Sequence, residues 1–235
     1  MMKIVYQLWG LANKNSTDWT DIIQKFTMIN EQYPAYAVIC GINAPQIVYK
    51  HIYQIANAKG TLVYLWIPVF AESPEFINAD EILDYKNNAF LSNQTAQAPF
   101  SFRCPSSAIN KDYAMHGFDR YLDKGYFHGV FLDRIRYPSF QYGLSGILSC
   151  FCSHCRKKFS DQGLYINDVY AACNDLEQRV RKKVDNPLGL NGFNGWRWSL
   201  DNNILQRLFD YRCETITDSV QTIQNHYRKQ NILTA

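Results

Sequence analysis

Short apolar runs and longer amphipathic stretches follow one another along the chain. The apolar runs predict four strands, at residues 3–8, 35–42, 61–69 and 129–133. Apolar positions at helical spacing predict five helices, at residues 18–29, 46–59, 110–124, 167–184 and 200–229. Strands and helices alternate over the first half, which favours parallel strands joined by right-handed crossovers.

This order predicts an α/β domain of the (β/α) TIM-barrel type that holds only the first four β/α units. A closed barrel needs eight units in about 250 residues, and residues 231–235 predict only the opening of a fifth strand. We therefore expect one domain over residues 1–235, a half or truncated barrel that is incomplete at its C-terminus. A small open α/β sheet is the alternative.

A half barrel leaves strands exposed. Strands one and four are expected to be open edges, and open edges of buried parallel strands promote pairing. If the chain ends at Ala235, we expect a homodimer or poor solubility.

Two long connections leave the carboxyl ends of strands three and four, at residues 70–109 and 134–166. Connections of this length are usually functional. In parallel barrels, sites are built at that end of the strands. We therefore expect the functional residues in or beside these two loops.

Composition narrows the class of protein. The 235 residues carry 24 Lys and Arg against 21 Asp and Glu, a net charge of +3, which does not suggest a nucleic-acid partner. Aromatic residues make up 15% of the chain, which argues against disorder. No apolar run is long enough to cross a membrane. The start has no pattern of an export signal, so we expect a cytoplasmic protein.

Cysteines are concentrated in one short segment. Cys150, Cys152 and Cys155 form a C-x-C-x-x-C run, and three thiolates this close can bind one zinc ion. Cys104, near the end of the other long connection, is the candidate fourth ligand, and His154 is the local competitor. Buried or redox-active thiols are the alternative. The other cysteines, at positions 40, 173 and 213, are expected in the core.

The fourth strand ends in a group of charged residues. Asp133 is followed by Arg134, Arg136 and Tyr137. An acid at the end of a barrel strand faces the pocket, and either arginine beside it favours the ionised carboxylate. That carboxylate can act as a nucleophile or hold a sugar hydroxyl. A buried Asp–Arg pair that fixes the loop is the structural alternative.

The other strand ends carry residue types found in sugar-binding pockets. Trp9 follows strand one, Asn43 follows strand two, Trp66 lies in strand three, and Glu72 comes after it. Aromatic rings offer apolar faces for sugar rings, and amides and carboxylates hydrogen-bond hydroxyl groups. With Arg134, Arg136 and Tyr137, these residues are the candidate substrate-binding set.

Two segments resemble a known family. Residues 103–107 (RCPSS) and 150–156 (CFCSHCR) are similar to the cysteine segments of zinc-containing β-galactosidases of glycoside hydrolase family 42 and of related hypothetical glycoside hydrolase-like barrels. The LDRIRYP stretch, residues 132–138, is closer to the second group. The resemblance covers about residues 102–159. It implies a structural zinc site formed by Cys104, Cys150, Cys152 and Cys155.

The departures from that family limit what the resemblance implies. The β-galactosidases have an Asn-Glu pair where this chain has Asp133 and Arg134, and their nucleophile comes from strand seven. The first hypothesis is a glycoside hydrolase-like enzyme that cleaves O-glycosidic bonds, with Asp133 as its catalytic carboxylate and Glu72 as a weak candidate for the second. A non-catalytic carbohydrate-binding or scaffold protein is the alternative, and a redox or zinc-sensing protein ranks third.

Overall fold

The computed structural model describes residues 3–8, 16–71, 80–89, 102–139, 142–185 and 195–235. The strands and helices are, in chain order, β1 (Val5–Leu8), α1 (Ser16–Gln32), β2 (Ala37–Cys40), α2 (Gln46–Asn57), β3 (Leu62–Pro68), α3 (Ala108–His116), α4 (Asp119–Leu122), β4 (Gly129–Asp133), α5 (Gly143–Ile147), α6 (Ser153–Asp161), α7 (Ile166–Asp185), α8 (Gly195–Asp201), α9 (Asn203–Lys229) and β5 (Leu233–Thr234).

The strands form one parallel sheet in the order β1-β2-β3-β4-β5. The expected start of a fifth strand is confirmed, since Leu233 and Thr234 pair with Gly129 and Val130. The expectation that strand four is an open edge is therefore wrong. Among the described strands, β1 and β5 lie at the edges of the sheet.

Burial follows the apolar runs that predicted the strands. Every residue of β2 is buried, and in β3 only Leu62 is partly exposed, so both faces of the central strands are covered. One face carries an apolar cluster formed by Ala37, Ile39, Tyr64 and Trp66. In β1, exposed and half-buried residues alternate, as expected at an edge.

Two predicted helices are each divided in the structure. The helix expected at 110–124 breaks between α3 and α4 at Gly117, where an added Cβ would lie 2.6 Å from the ring of Tyr113. The helix expected at 200–229 is divided at Asn202. Residues 200 and 201 belong to α8, and Asn202 caps the start of α9. Its Oδ1 accepts hydrogen bonds from the N–H groups of Ile204 and Leu205, both at 3.1 Å.

The chain divides into two compact units. The sheet unit comprises Met1–Val69, Asp112–Arg134 and Thr222–Ala235, and the cysteine unit comprises Phe70–Lys111 and Ile135–Gln221. The connection at 134–166, expected as a loop, contains the short helices α5 and α6. Whether residues 1–235 form a single domain stays a prediction. No helix in the described part of the chain combines the length and the apolar character needed to cross a membrane.

Candidate active site and metal centre

Asp133 is the last residue of β4, at the carboxyl edge of the sheet. Its side chain is 36% exposed. Oδ2 accepts a 2.8 Å hydrogen bond from Nε1 of Trp66, and Oδ1 accepts one of 2.7 Å from the backbone N–H of Arg134. The carboxylate is therefore held in one orientation while part of it remains open to solvent.

The side chain of Arg134 lies beside the same carboxylate. Its φ of 55° lies in the left-handed region, which non-glycine residues seldom adopt. The guanidinium centre lies 5.3 Å from the ring centre of Trp66, and Nε lies 3.9 Å from Oδ2 of Asp133. A carboxylate, an indole and a guanidinium are thus brought together at the ends of β3 and β4.

Asn43, the candidate at the end of strand two, lies on a separate cavity of the sheet unit. Its Oδ1 accepts a 2.8 Å hydrogen bond from the hydroxyl of Tyr121, which in turn accepts one of 2.8 Å from Arg120. The cavity has a volume of about 460 Å³. Its lining consists of Trp19, Asn43, Ala44, Pro45, Gln46, Arg120 and Tyr121.

The structure does not bring the remaining candidates together with Asp133 within the sheet unit. Trp9 and Glu72 fall outside the described residues. Arg136 and Tyr137 belong to the cysteine unit. Arg136 is exposed, with its guanidinium 5.6 Å from the ring centre of Phe102. Tyr137 is buried, and burial raises its pKa.

The four candidate zinc ligands form a compact, buried cluster. The Sγ atoms of Cys104, Cys150, Cys152 and Cys155 all lie within 4.8 Å of one another. Sγ of Cys104 is 3.4 Å from that of Cys152 and 3.5 Å from that of Cys155. These distances are too long for a disulfide, at about 2.05 Å. They are close to the roughly 3.8 Å between sulfur atoms bound tetrahedrally to one metal ion. The cluster could therefore hold a metal ion.

The short segment at residues 80–83 forms hydrogen bonds with both parts of the cluster. The N–H of Cys104 donates to the carbonyl of Asp80, and the N–H of Phe151 donates to the carbonyl of Leu83, each at 2.9 Å. Cys152 is the N-cap residue of α6, and Cys155 lies in its first turn. The positive end of the helix dipole favours thiolates at these positions.

The pKa values of the four thiols are shifted in different directions. Hydrogen bonds from Cys104 are the largest cause that lowers the pKa of both Cys152 and Cys155. The pKa of Cys104 is raised, chiefly by its hydrogen bond with Cys150, and burial raises that of Cys150 itself. A lowered pKa favours the thiolate form of Cys152 and Cys155, which is the form that binds metal.

The competing ligand His154 has another partner. Its Nε2 lies 2.9 Å from Oδ2 of Asp80, which also accepts a 2.5 Å hydrogen bond from the hydroxyl of Ser107. His154 is part of neither metal-ligand group found among the described residues. Among the described residues, the four thiols therefore form this group of possible ligands without His154.

Of the three cysteines expected in the core, Cys40 and Cys173 are buried, but Cys213 is exposed. The expectation for Cys213 is wrong because of its position on α9. Buried residues recur on that helix at a spacing of three or four, at Leu205, Leu208, Tyr211, Thr215 and Ser219. Cys213 lies off this stripe.

Sequence reasoning missed the polar residues that surround the cluster. The hydroxyl of Ser106 lies 3.5 Å from Sγ of Cys155 and 2.5 Å from the hydroxyl of Tyr211. Arg212 is half-buried, with its guanidinium centre 4.6 Å from the ring centre of Tyr137. These partners are tens of residues apart in the chain, so no local spacing identifies them.

Comparison with known proteins supports the fold. A scan of protein-family models and a search of curated proteins each give no match. The chain is similar to the glycoside hydrolase domain of PgaB (BpsB) from Bordetella bronchiseptica, with a TM-score of 0.57 and 10% identity, over 100% of this chain and 64% of that one. A β-galactosidase from the Antarctic haloarchaeon Halorubrum lacusprofundi aligns with a TM-score of 0.42 and 12% identity, over 72% of this chain and 26% of that one.

At these identities the likeness to the PgaB domain concerns the fold alone. The chain has a glycoside hydrolase-like α/β fold and spans less than two thirds of the PgaB domain to which it is similar. The likeness does not identify a catalytic residue or a substrate, because one fold can support many activities.

Proposed function

We propose that this chain belongs to a glycoside hydrolase-like protein that hydrolyses O-glycosidic bonds, with Asp133 as a catalytic carboxylate. The observation that carries the proposal is the position of Asp133 at the carboxyl end of a parallel strand, partly exposed and oriented by Trp66. The fold shared with the PgaB glycoside hydrolase domain supports it. Sites on parallel barrels are built at this end of the strands.

The hydrogen bonds of Asp133 indicate which role suits it. Both carboxylate oxygens accept a hydrogen bond, Oδ1 from Arg134 and Oδ2 from Trp66. That arrangement suits an ionised carboxylate, acting as a nucleophile or as a stabiliser of the positively charged transition state. The guanidinium of Arg134 would contact the sugar, whereas Trp66, which is buried, orients the carboxylate. A separate carboxylic acid has to protonate the leaving group.

The test is the replacement Asp133→Asn, assayed on a panel of aryl glycosides. We expect turnover to fall by about 10²–10⁴-fold while the fold is retained. Asp123→Asn is the matched control, since Asp123 is an exposed residue of the same unit. Unchanged turnover in the Asp133 variant would exclude this residue as the catalyst.

A second candidate function is carbohydrate binding without hydrolysis, at the cavity beside Asn43. Its lining includes the aromatic side chains of Trp19 and Tyr121 and the amide of Gln46, and none of its lining residues is acidic. Aromatic faces and amides bind sugars, but hydrolysis needs carboxylates. Calorimetry that detects sugar binding, lost in Asn43→Ala, without hydrolysis by the same protein would favour this alternative.

We also propose that the four-thiol cluster binds zinc in a structural role. Four sulfur donors at tetrahedral spacing, all buried, are typical of structural zinc sites. All four coordination positions are then filled by Cys104, Cys150, Cys152 and Cys155, so no position remains for an activated water. The zinc therefore fixes the cysteine segments and takes no part in hydrolysis.

A further inference from the structure

A second group of metal-binding side chains lies in the sheet unit, outside both sites described above. His116 is the last residue of α3, Asp119 is the first residue of α4, and His226 lies in the last turn of α9. One ligand atom from each residue lies within 4.8 Å of those of the other two. Two imidazoles and a carboxylate are a donor set that divalent transition metals prefer.

The distances within the group are close to those of a bound state. Nδ1 of His116 lies 3.4 Å from Oδ2 of Asp119. A tetrahedral ion with bonds of about 2.1 Å holds neighbouring ligand atoms about 3.4 Å apart. The rings of His116 and His226 are perpendicular, with their centres 4.5 Å apart.

Each imidazole also has a partner on its outer side. Nε2 of His116 faces Oδ1 of Asp112 at 3.8 Å, and the ring of His226 hydrogen-bonds the backbone of Met115. Metal-ligating histidines almost always bind a carboxylate or a carbonyl through the second nitrogen, which fixes the ring. The amide of Gln230 lies 3.0 Å from Nε2 of His226, and it is the group that an incoming ion would displace if it bound that nitrogen.

The backbone that carries the group is fixed before any ion arrives. The buried hydroxyl of Tyr227 donates a 2.8 Å hydrogen bond to the carbonyl of Ala114. That bond sets the position of α9 against α3, one residue from His226 and two residues from His116. Sites that are supported by regular elements in this way lose little freedom on binding.

We propose that His116, Asp119 and His226 form a second metal site, which takes a divalent transition-metal ion and fastens the last turn of α9 to the corner between α3 and α4. The three protein ligands leave at least one coordination position for water. The site differs from the thiol cluster in its donor atoms and its exposure, because His116 is 50% and Asp119 41% exposed at the side chain. It therefore binds and releases its ion more readily than the buried cluster.

The test is calorimetric titration of Ni²⁺ into protein that has first been saturated with zinc and freed of excess metal. Ni²⁺ suits imidazole ligands and leaves the thiol cluster to zinc. We expect one Ni²⁺ ion per chain, with the affinity lowered about 10-fold or more in His116→Ala, Asp119→Asn and His226→Ala. His51→Ala is the matched control, an exposed histidine on α2 of the same unit.

A second measurement separates binding from loss of the fold. Saturating Ni²⁺ should raise the Tm of the parent protein and of His51→Ala by about 5 °C, and that of Asp119→Asn by less than about 1 °C. Without nickel, Asp119→Asn should melt with the parent, since its side chain is partly exposed. Equal nickel affinity in the parent and Asp119→Asn, or no nickel binding to the parent, would overturn the proposal.

Discussion

The indole N–H of Trp66 donates a 2.8 Å hydrogen bond to Oδ2 of Asp133. The two residues come from adjacent strands, since Trp66 pairs with Phe131 and Pro68 with Asp133 in the register of β3 and β4. Trp66, which the sequence suggests as a flat surface for a sugar ring, is buried in the structure, and it instead donates the hydrogen bond that orients the candidate catalytic carboxylate.

The first prediction concerns this hydrogen bond. Trp66→Phe keeps an aromatic ring but removes the donor, so a partly buried carboxylate oxygen loses its partner. We expect the free energy of unfolding, measured by urea denaturation, to fall by about 1–2 kcal/mol. If Asp133 is catalytic, turnover should fall as well.

The control is a double-mutant cycle with Asp133→Ala. The two residues are in contact, so the effects of the single substitutions on unfolding should not add. We expect a coupling energy of about 1 kcal/mol. Strict additivity would mean that the hydrogen bond contributes nothing to stability.

The second prediction concerns removal of the metal. Protein purified under reducing conditions should contain about one zinc ion per chain, and a chelator should lower its Tm by about 10 °C or more. Without the ion, the four buried sulfur atoms lie against one another, the hydroxyl of Ser106 and the backbone N–H of Cys152. Added zinc should restore the Tm, as followed by differential scanning calorimetry.

Two cysteine variants test that assignment. Cys152→Ser should lose the zinc and melt at a lower temperature, whereas Cys213→Ser, at an exposed position on α9, should keep both zinc and Tm. Metal-free protein with an unchanged Tm would contradict a structural zinc site.

The third prediction concerns Arg212. Its guanidinium donates to the carbonyls of Ile147 and Pro138 and lies over the ring of Tyr137. Burial lowers its pKa, and the negative charge that Tyr137 and Cys150 can carry opposes that shift. A lysine has one compact ammonium group in place of the planar guanidinium with its several N–H donors, so Arg212→Lys should leave one of the two carbonyls without its hydrogen bond. We expect the free energy of unfolding to fall by roughly 1–3 kcal/mol.

The matched control for Arg212 is Arg181→Lys. Arg181 forms an exposed pair with Glu177 one helical turn away, and such pairs contribute about 0.5 kcal/mol or less. Equal denaturation midpoints for Arg212→Lys and Arg181→Lys would show that the guanidinium of Arg212 makes no special contribution to stability.

Much of the sheet could be predicted, because its signal is local. The run at residues 129–133 gave the bounds of β4 without error, and residues 231–235 indicated β5. The partner of β5 could not be read from the sequence, so β4 was wrongly expected at an edge. The paired residues of β4 and β5 are about a hundred positions apart in the chain, and no local sequence pattern indicates a contact over that separation.

The same distinction applies to the sites. The spacing of Cys150, Cys152 and Cys155 predicts a cluster because its three members are neighbours in the chain, and the place of Cys104 near the end of the other long connection makes it the candidate fourth ligand. The group of His116, Asp119 and His226 gave no signal, since its two parts are more than a hundred residues apart. The hydrogen bond from Trp66 to Asp133 was hidden for the same reason.

The last prediction concerns the order in which cysteines react with iodoacetamide, followed by peptide mass spectrometry. Cys213 is exposed and should be labelled first. Burial raises the pKa of both Cys40 and Cys173 to about 12, so at pH 8 almost none of either thiol is ionised, and both should stay unlabelled until the protein unfolds. Hydrogen bonding with Cys104 lowers the pKa of Cys152 and Cys155, and zinc bound to the four cluster thiols would block reaction at their sulfur atoms. We therefore expect them to be unreactive in the zinc-loaded protein and to be labelled after chelation, before Cys40 and Cys173. Labelling of the cluster at the rate of Cys213 in zinc-loaded protein would contradict metal ligation by these four residues.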